Sequence, residues 1–264
     1  MSRLKEQVRD YWNRESCGSS TATSAKFSRA YFEEIEQHRY SAEPEILSFA
    51  QFSRFRGQNV LEVGVGAGTD FIQWVRSGAL AYGVDLTESA IEHTKRRLAV
   101  YGLSAEGLCV ADAESLPYPD NFFDLSYSWG VLHHTPDTEK ALREIIRVTR
   151  VGGLVKLMVY NRRSLYSLYR YVHDNFLRGH PFRGVSWVFY HRQESKGTKT
   201  YTRREVKAML SRYPVRVLEI WSAVTGYELL KDKALPFRFA AYLLACLFGF
   251  HKAGWFMTIE LEKE

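Results

Sequence analysis

The stretch Val60–Asp70, VLEVGVGAGTD, constrains this chain more than any other part of it. An apolar run carrying one acid, Glu62, opens into glycines at 64, 66 and 68. The run reads as a buried parallel strand, and the glycines allow a tight turn and a close approach of backbone to ligand. A glycine turn after a strand is shared by many α/β proteins, so the spacing has to narrow it. A dinucleotide fingerprint, G-x-G-x-x-G, needs its third glycine at position 69, where the chain has Thr69. The pattern here is E-x-G-x-G-x-G, and G-x-x-x-x-G-K-[ST] is absent, which argues against a nucleoside triphosphate.

Two more acids fall in step. Asp85 closes the run AYGVDL, where an acid at a strand tip is placed to accept from ribose hydroxyls. Asp112 follows the strand end Cys109–Ala111, and a Pro-punctuated loop then leads to the run Phe123–Tyr127 and to Ser128, Trp129 and Gly130. These residues describe a nucleoside ligand without a required pyrophosphate. Together, EVGVGAG, VDL, ADAESLPYPDNFFD and WGVLHH, spread over about Phe49 to Tyr160, resemble the class I S-adenosylmethionine-dependent methyltransferases, in particular the ubiquinone/menaquinone branch. One departure is RVGG at Arg150–Gly153, where such proteins usually carry a proline before the glycine pair; it bears on the turn into a strand and not on the cofactor.

The resemblance implies an α/β fold: a Rossmann-like, doubly wound seven-stranded sheet, mostly parallel with the last strand antiparallel, an N-terminal helical cap and C-terminal lid insertions. It implies S-adenosylmethionine as cofactor, with Gly64, Gly66 and Gly68 in its loop, Glu62 at the methionine end and Asp85 on the ribose. Asp112 would accept from the adenine amine, with Leu86 and the Ala113 amide against the ring; Asp112 could instead cap its turn. Trp129 would border the methionine portion or simply sit in the core. His133 and His134 are the candidate catalytic bases, His133 the favoured one because related enzymes place a histidine just past strand four; the alternative is that one caps a helix and the other packs. Arg39 could pair with the cofactor carboxylate and Tyr40 could cover the sulfonium, or both could serve helix packing.

At 264 residues, with 45% hydrophobic and 25% charged residues, the chain has material for a single domain. We expect a cap over 1–55, a cofactor-binding core over 56–160 and substrate-side insertions at 161–200 and 222–254. Strands are expected near Asn59–Val63, Ala81–Asp85, Gly107–Ala111, Asp124–Ser128 and Leu154–Tyr160, and helices near Thr69–Ser77, Glu88–Tyr101 and Thr138–Thr149. An amphipathic helix at TRREVKAMLSRY and strands at VRVLEIW and WFMTIELEK follow.

Three scattered cysteines, Cys17, Cys109 and Cys246, form no metal or disulfide pattern and suit a reducing cytoplasm, and no ligand cluster implies a metal. The N-terminus is charged, without a signal-peptide core. The net charge of +6 is a mild bias toward anionic partners. Aromatic and basic residues interleave over Asn161–Thr200, yet no N/D-P-P-Y/F/W element or Pro-Cys nucleophile marks a nucleic-acid base methylase, so a nucleic-acid partner is not expected.

The apolar run Phe237–Phe250, with Trp255 and Phe256, admits two readings. It is a lid over an apolar acceptor, the favoured one, or an in-plane membrane helix that makes 237–256 a peripheral membrane contact. The expected activity is methyl transfer to a small, hydrophobic acceptor bearing a phosphate or carboxylate, held in an apolar, basic-rimmed site above Gly64 and His133. The rivals are an RNA or protein methyltransferase and a cofactor-binding module without transfer.

Overall fold

The computed structural model describes residues 2–14, 18–226, 228–229 and 235–264, with backbone alone at 236 and 237; Cys17 and part of the expected insertion at 222–254 lie outside the described residues. Three helices open the chain: α1 (Arg3–Arg14), α2 (Arg29–Ala42) and α3 (Glu45–Ala50). Ser28 begins α2 by accepting the amide of Tyr31, and Pro44 sits where α3 starts, so the HRYSAEP segment turns as its proline requires.

Alternation then takes over. Strands β1 (Asn59–Val63), β2 (Leu80–Asp85), β3 (Gly107–Val110), β4 (Phe123–Trp129) and β5 (Thr149–Tyr160) enclose α4 (Phe71–Arg76), α5 (Glu88–Val100) and α6 (Thr138–Val148). Thr87 and Asp137 supply the side-chain caps of α5 and α6. After β5 come α7 (Leu165–Asp174), α8 (Val185–Arg192), α9 (Arg203–Leu210), β6 (Val215–Trp221), α10 (Leu235–Phe248) and β7 (Phe256–Lys263). Thr202 caps α9 in a reciprocal box with Glu205.

The sheet order is β3-β2-β1-β4-β5-β7-β6. Pairings from β3 through β5 are parallel, and β7 runs antiparallel to both β5 and β6, as expected. The order reverses between β1 and β4, and a ligand crevice opens outside the carboxyl ends at such a switch point. Two differences from the expected elements are informative. Strand β5 starts at Thr149 rather than Leu154, because its register against β4 jumps from Phe123↔Thr149 to Leu125↔Leu154. The extra residues bulge out around Gly152, whose φ of 72° suits glycine. Helix α4 starts at Phe71, two residues later than expected, and the side chain of Asp70 before it is held by Arg39, Tyr40 and Tyr127.

Arg97, wholly buried on α5, ties the glycine loop to the cap. It donates to the Ala67 carbonyl at 3.1 Å, to Thr69 Oγ1 at 2.6 Å and to the Phe32 carbonyl of α2 at 2.8 Å. Beside it, His93 sits among Phe27, Tyr31 and Phe32, and burial, helped by nearby Lys26, Arg97 and Arg96, pulls its pKa down to about 4. The unfolded chain therefore takes up a proton between pH about 6.5 and 4 that the folded chain refuses, so stability falls as the pH falls through that window. After allowing for solvent screening, His93 is expected to cost about 1 kcal/mol between pH 7 and 5. Urea midpoints should record that loss in the native chain and a smaller one in His93→Gln.

Candidate active site

A cavity of 320 Å³ lies over the carboxyl ends of β1, β2 and β4 and is closed by α1 and α2. Its floor is the glycine loop. Gly64 takes φ +87°, its amide donates to the Val84 carbonyl at 2.7 Å, and a Cβ there would meet Val131 Cγ2 at 2.1 Å. Gly66 donates its amide to Asp85 at 3.1 Å. Gly68 faces away from the cavity toward Thr94, so its part is to bring α5 close and not to line the site.

Acids dominate the charged part of the lining. Glu43, Glu62, Asp70, Asp85, Asp112 and Glu194 face it, against Lys5 and Arg39. Glu62 accepts from Trp74 Nε1 at 2.8 Å; burial, with Asp70 nearby, pushes its pKa well above the carboxylate range. Asp85 accepts from the amides of Gly66 and Thr87 and from Thr87 Oγ1, and burial outweighs these bonds in raising its pKa. Glu43 is likewise raised by burial, although Arg39 lies beside it and Trp129 Nε1 donates to it at 2.5 Å. An enclosed, acidic cavity in a basic protein favours a cationic ligand.

At the other end of the acid series, Lys5 of α1 bridges Asp112 and Glu114, each at 2.5 Å. Burial lowers the Lys5 pKa, but the two carboxylates outweigh that and raise it. Asp112 also accepts the Glu114 amide at 2.9 Å, so it caps its turn as well as lining the cavity, and an adenine amine there would share it with Lys5.

His134 and His133 divide sharply. His134 lines the cavity; its Nε2 lies 3.2 Å from Glu194, and Nδ1 lies 3.0 Å from both Ser195 Oγ and Thr198 Oγ1. Trp12 of α1 meets its ring edge-on. Tyr160 donates to Glu194 at 3.0 Å. Burial pushes the Glu194 pKa up, but the bonds from His134 and Tyr160 prevail and hold it below the ordinary value. Its backbone φ of 42° is left-handed, an uncommon cost for a residue other than Gly, Asn or Asp. His133, the favoured base, is fully buried outside the cavity, packed on Tyr160 with no hydrogen-bond partner among the described residues at either ring nitrogen; burial holds its pKa well below the usual value, so it stays neutral and packs.

Of the expected site residues, Glu62, Gly64, Gly66, Asp85, Leu86, Asp112, Ala113, Trp129, Arg39 and His134 line one cavity, while Gly68, Tyr40 and His133 do not. Tyr40 instead donates to the Thr69 carbonyl and Asp70, and Arg39 is held by Asp70 at 2.9 Å and Glu43 at 3.3 Å. Missed were Glu194, for which nothing in the sequence speaks, and Lys5, Val8 and Trp12, whose i, i+3, i+7 spacing on α1 was the available signal. Of the expected insertions, among the described residues only Glu194 of 161–200, and none of 222–254, lines the cavity. Among the described residues no arginine of 161–200 lines the cavity, and Arg170 pairs with Asp174 at 2.6 Å.

Residues 61–157 match the family described as a methyltransferase domain. Among similar proteins are the ubiquinone/menaquinone biosynthesis C-methyltransferase UbiE of Yersinia pestis, 34% identical over 43% of this chain and 47% of that protein, and ajmaline N-methyltransferase of Rauvolfia serpentina, 29% identical over 46% and 43%. The chain thus spans less than half the length of these two curated relatives. A crystal structure of geranyl diphosphate C-methyltransferase from Streptomyces coelicolor, with Mg2+, geranyl diphosphate and S-adenosyl-L-homocysteine, aligns at TM-score 0.64 and 15% identity, over 100% of this chain and 98% of that one. Over residues 61–157 the chain is similar to a methyltransferase domain, and its sheet has the fold of solved class I S-adenosylmethionine-dependent methyltransferases. Within that class the chain resembles the UbiE branch.

The residues present suit the class's cofactor, S-adenosylmethionine. The cofactor carries a sulfonium and an ammonium against one carboxylate, and the carboxyl groups of Glu62, Asp70 and Asp85 line the cavity where such cations would find partners. Asp85→Ala should weaken S-adenosylhomocysteine binding by about 1.5–3 kcal/mol. Because Asp85 also holds Gly66 and the start of α5, a lower melting temperature should accompany the loss, which calorimetry would record alongside titration.

Proposed function

We propose that this chain transfers a methyl group from S-adenosylmethionine to a small, largely apolar acceptor entering beside His134 and Glu194. The observation that carries this reading is the line of Glu62, Asp85 and Asp112 at successive strand ends along one acidic cavity. Glu62 would hold the methionine end, Asp85 the ribose and Asp112 the adenine edge. When bound, the cofactor supplies an activated methyl on sulfur, and the protein's work is alignment and exclusion of water. Val8 and Trp12 of α1 close the cavity above these acids, and Trp129, fixed by Glu43, walls it.

The His134–Glu194 pair can hold a proton released by an acceptor hydroxyl, amine or activated carbon, with Tyr160 orienting the carboxylate. The acidic lining favours a neutral or cationic acceptor over an anionic one. Isothermal titration tests the reading: S-adenosylhomocysteine should bind and NADH should not, and acceptor panels scored by S-adenosylhomocysteine release should return small apolar molecules. NADH binding without S-adenosylhomocysteine binding would overturn it.

A further inference from the structure

Helix α10 is built inside out for a globular surface. Its large side chains point to solvent: Phe239 is 64% exposed and Leu247 80%, with Leu235, Tyr242, Leu243 and Phe248 also exposed. Among its described side chains, those turned inward are small, Ala241 and Ala245, and Ala245 belongs to a cluster with Leu165 of α7 and Ala253. A surface helix ordinarily buries its bulk and shows polar residues, and an apolar helix left exposed marks an interaction surface. Helix α7 continues the face. Leu165, Leu168, Tyr169 and Val172 recur at helical spacing on one side, and all but Leu165 are exposed.

We propose that α7 and α10 form a docking face for an anionic lipid bilayer, with α10 lying in the interfacial plane. The charge around the face selects this occupant. Residues 235–259 contain no acid, and Arg238, His251 and Lys252 are exposed there. Over 161–193 the only acid is Asp174, which is buried against Arg170, while Arg163, Arg178 and His180 are exposed. A second copy would set like charges against each other, and a nucleic acid would leave Phe239 and Leu247 in water. An anionic membrane satisfies both the apolar side chains and the basic ones. The 14 residues of α10 are too few to cross a bilayer, which takes about 20, so the helix lies on the membrane and does not span it.

The face shares an edge of the sheet with the cavity. Trp255, at the foot of β7, stacks on Tyr160 at 4.1 Å, and Tyr160 reaches Glu194. Docking would therefore bring the acceptor entrance near lipid-dissolved molecules, but binding itself can be read without any turnover.

Vesicle flotation of the full chain tests the proposal, with phosphatidylcholine alone or mixed with roughly one-third phosphatidylglycerol. The chain should float with the mixed vesicles, and about 0.5 M salt should weaken that partitioning. The exposed triple variant Phe239→Ser, Leu243→Ser, Leu247→Ser should lose about tenfold or more of it. Arg163→Glu with Arg238→Glu and Lys252→Glu should abolish the preference for anionic lipid. S-adenosylhomocysteine affinity should be unchanged in both variants, which shows that they fold and keeps this test apart from the transfer reading. The proposal is lost if the chain stays with neither vesicle, if the serine variant floats like the native chain, or if sedimentation reveals a dimer that the serine variant dissolves.

Discussion

Glu194→Gln is expected to lower kcat about 100-fold while S-adenosylhomocysteine affinity changes by less than about twofold. The carboxylate sits 3.2 Å from His134 Nε2 and accepts the Tyr160 hydroxyl, so the amide keeps the shape but cannot stabilise a proton on the imidazole. His134→Gln should cost a similar factor, and the double variant little more than either single one, because the two residues act as one unit. His133→Gln is the control. It should cost stability, since it removes a fully buried ring packed on Tyr160, but should leave the pH profile of kcat unmoved. Single-turnover rates on any acceptor found by the panel decide the matter. Full activity in Glu194→Gln would show that the acceptor needs no proton holder here.

Gly64→Ala should be the most damaging single substitution at the cofactor loop. The new methyl would lie 2.1 Å from Val131 Cγ2, and φ +87° is a region where L side chains are strained. Strain alone costs about 1–3 kcal/mol, and overpacking against a stiff β-branched neighbour adds a similar amount. A total of about 3 kcal/mol should lower the melting temperature by roughly 6–12 °C in a domain of this size. S-adenosylhomocysteine binding should fall with it, since Val131 and Gly64 both line the cavity. Adding Val131→Ala should recover the packing part and leave the backbone part, separating the two by calorimetry. A Gly64→Ala chain that melts like the native one would mean that the loop can move aside.

The two ends of the site were unequally legible. Strand β1 was read at its observed bounds, and the ends of β2 and β4 fell within a residue of those seen. These elements announce themselves by local apolar runs and glycine punctuation. Acids at strand tips inherit that precision, so Glu62, Asp85 and Asp112 fall into one cavity as expected. The choice between His133 and His134 was not legible, because adjacent residues in a tight turn point to different sides and only packing decides which side is the cavity.

By itself, then, the sequence determined the parallel core, the antiparallel final strand through its family likeness, and the acids at the strand tips that line the cavity. All of these rest on short-range pattern and on rules of strand connection. Tertiary structure alone decided three things. Lys5 meets Asp112 across 107 positions of chain, and Tyr160 meets Glu194 across 34; no local period encodes such pairs. The third is the orientation of α10, whose apolar composition favoured a lid and left a membrane face as the other reading. Only the docking of Ala241 and Ala245 inward turned its bulk outward, since the side chain that fits a close helix contact is the small one.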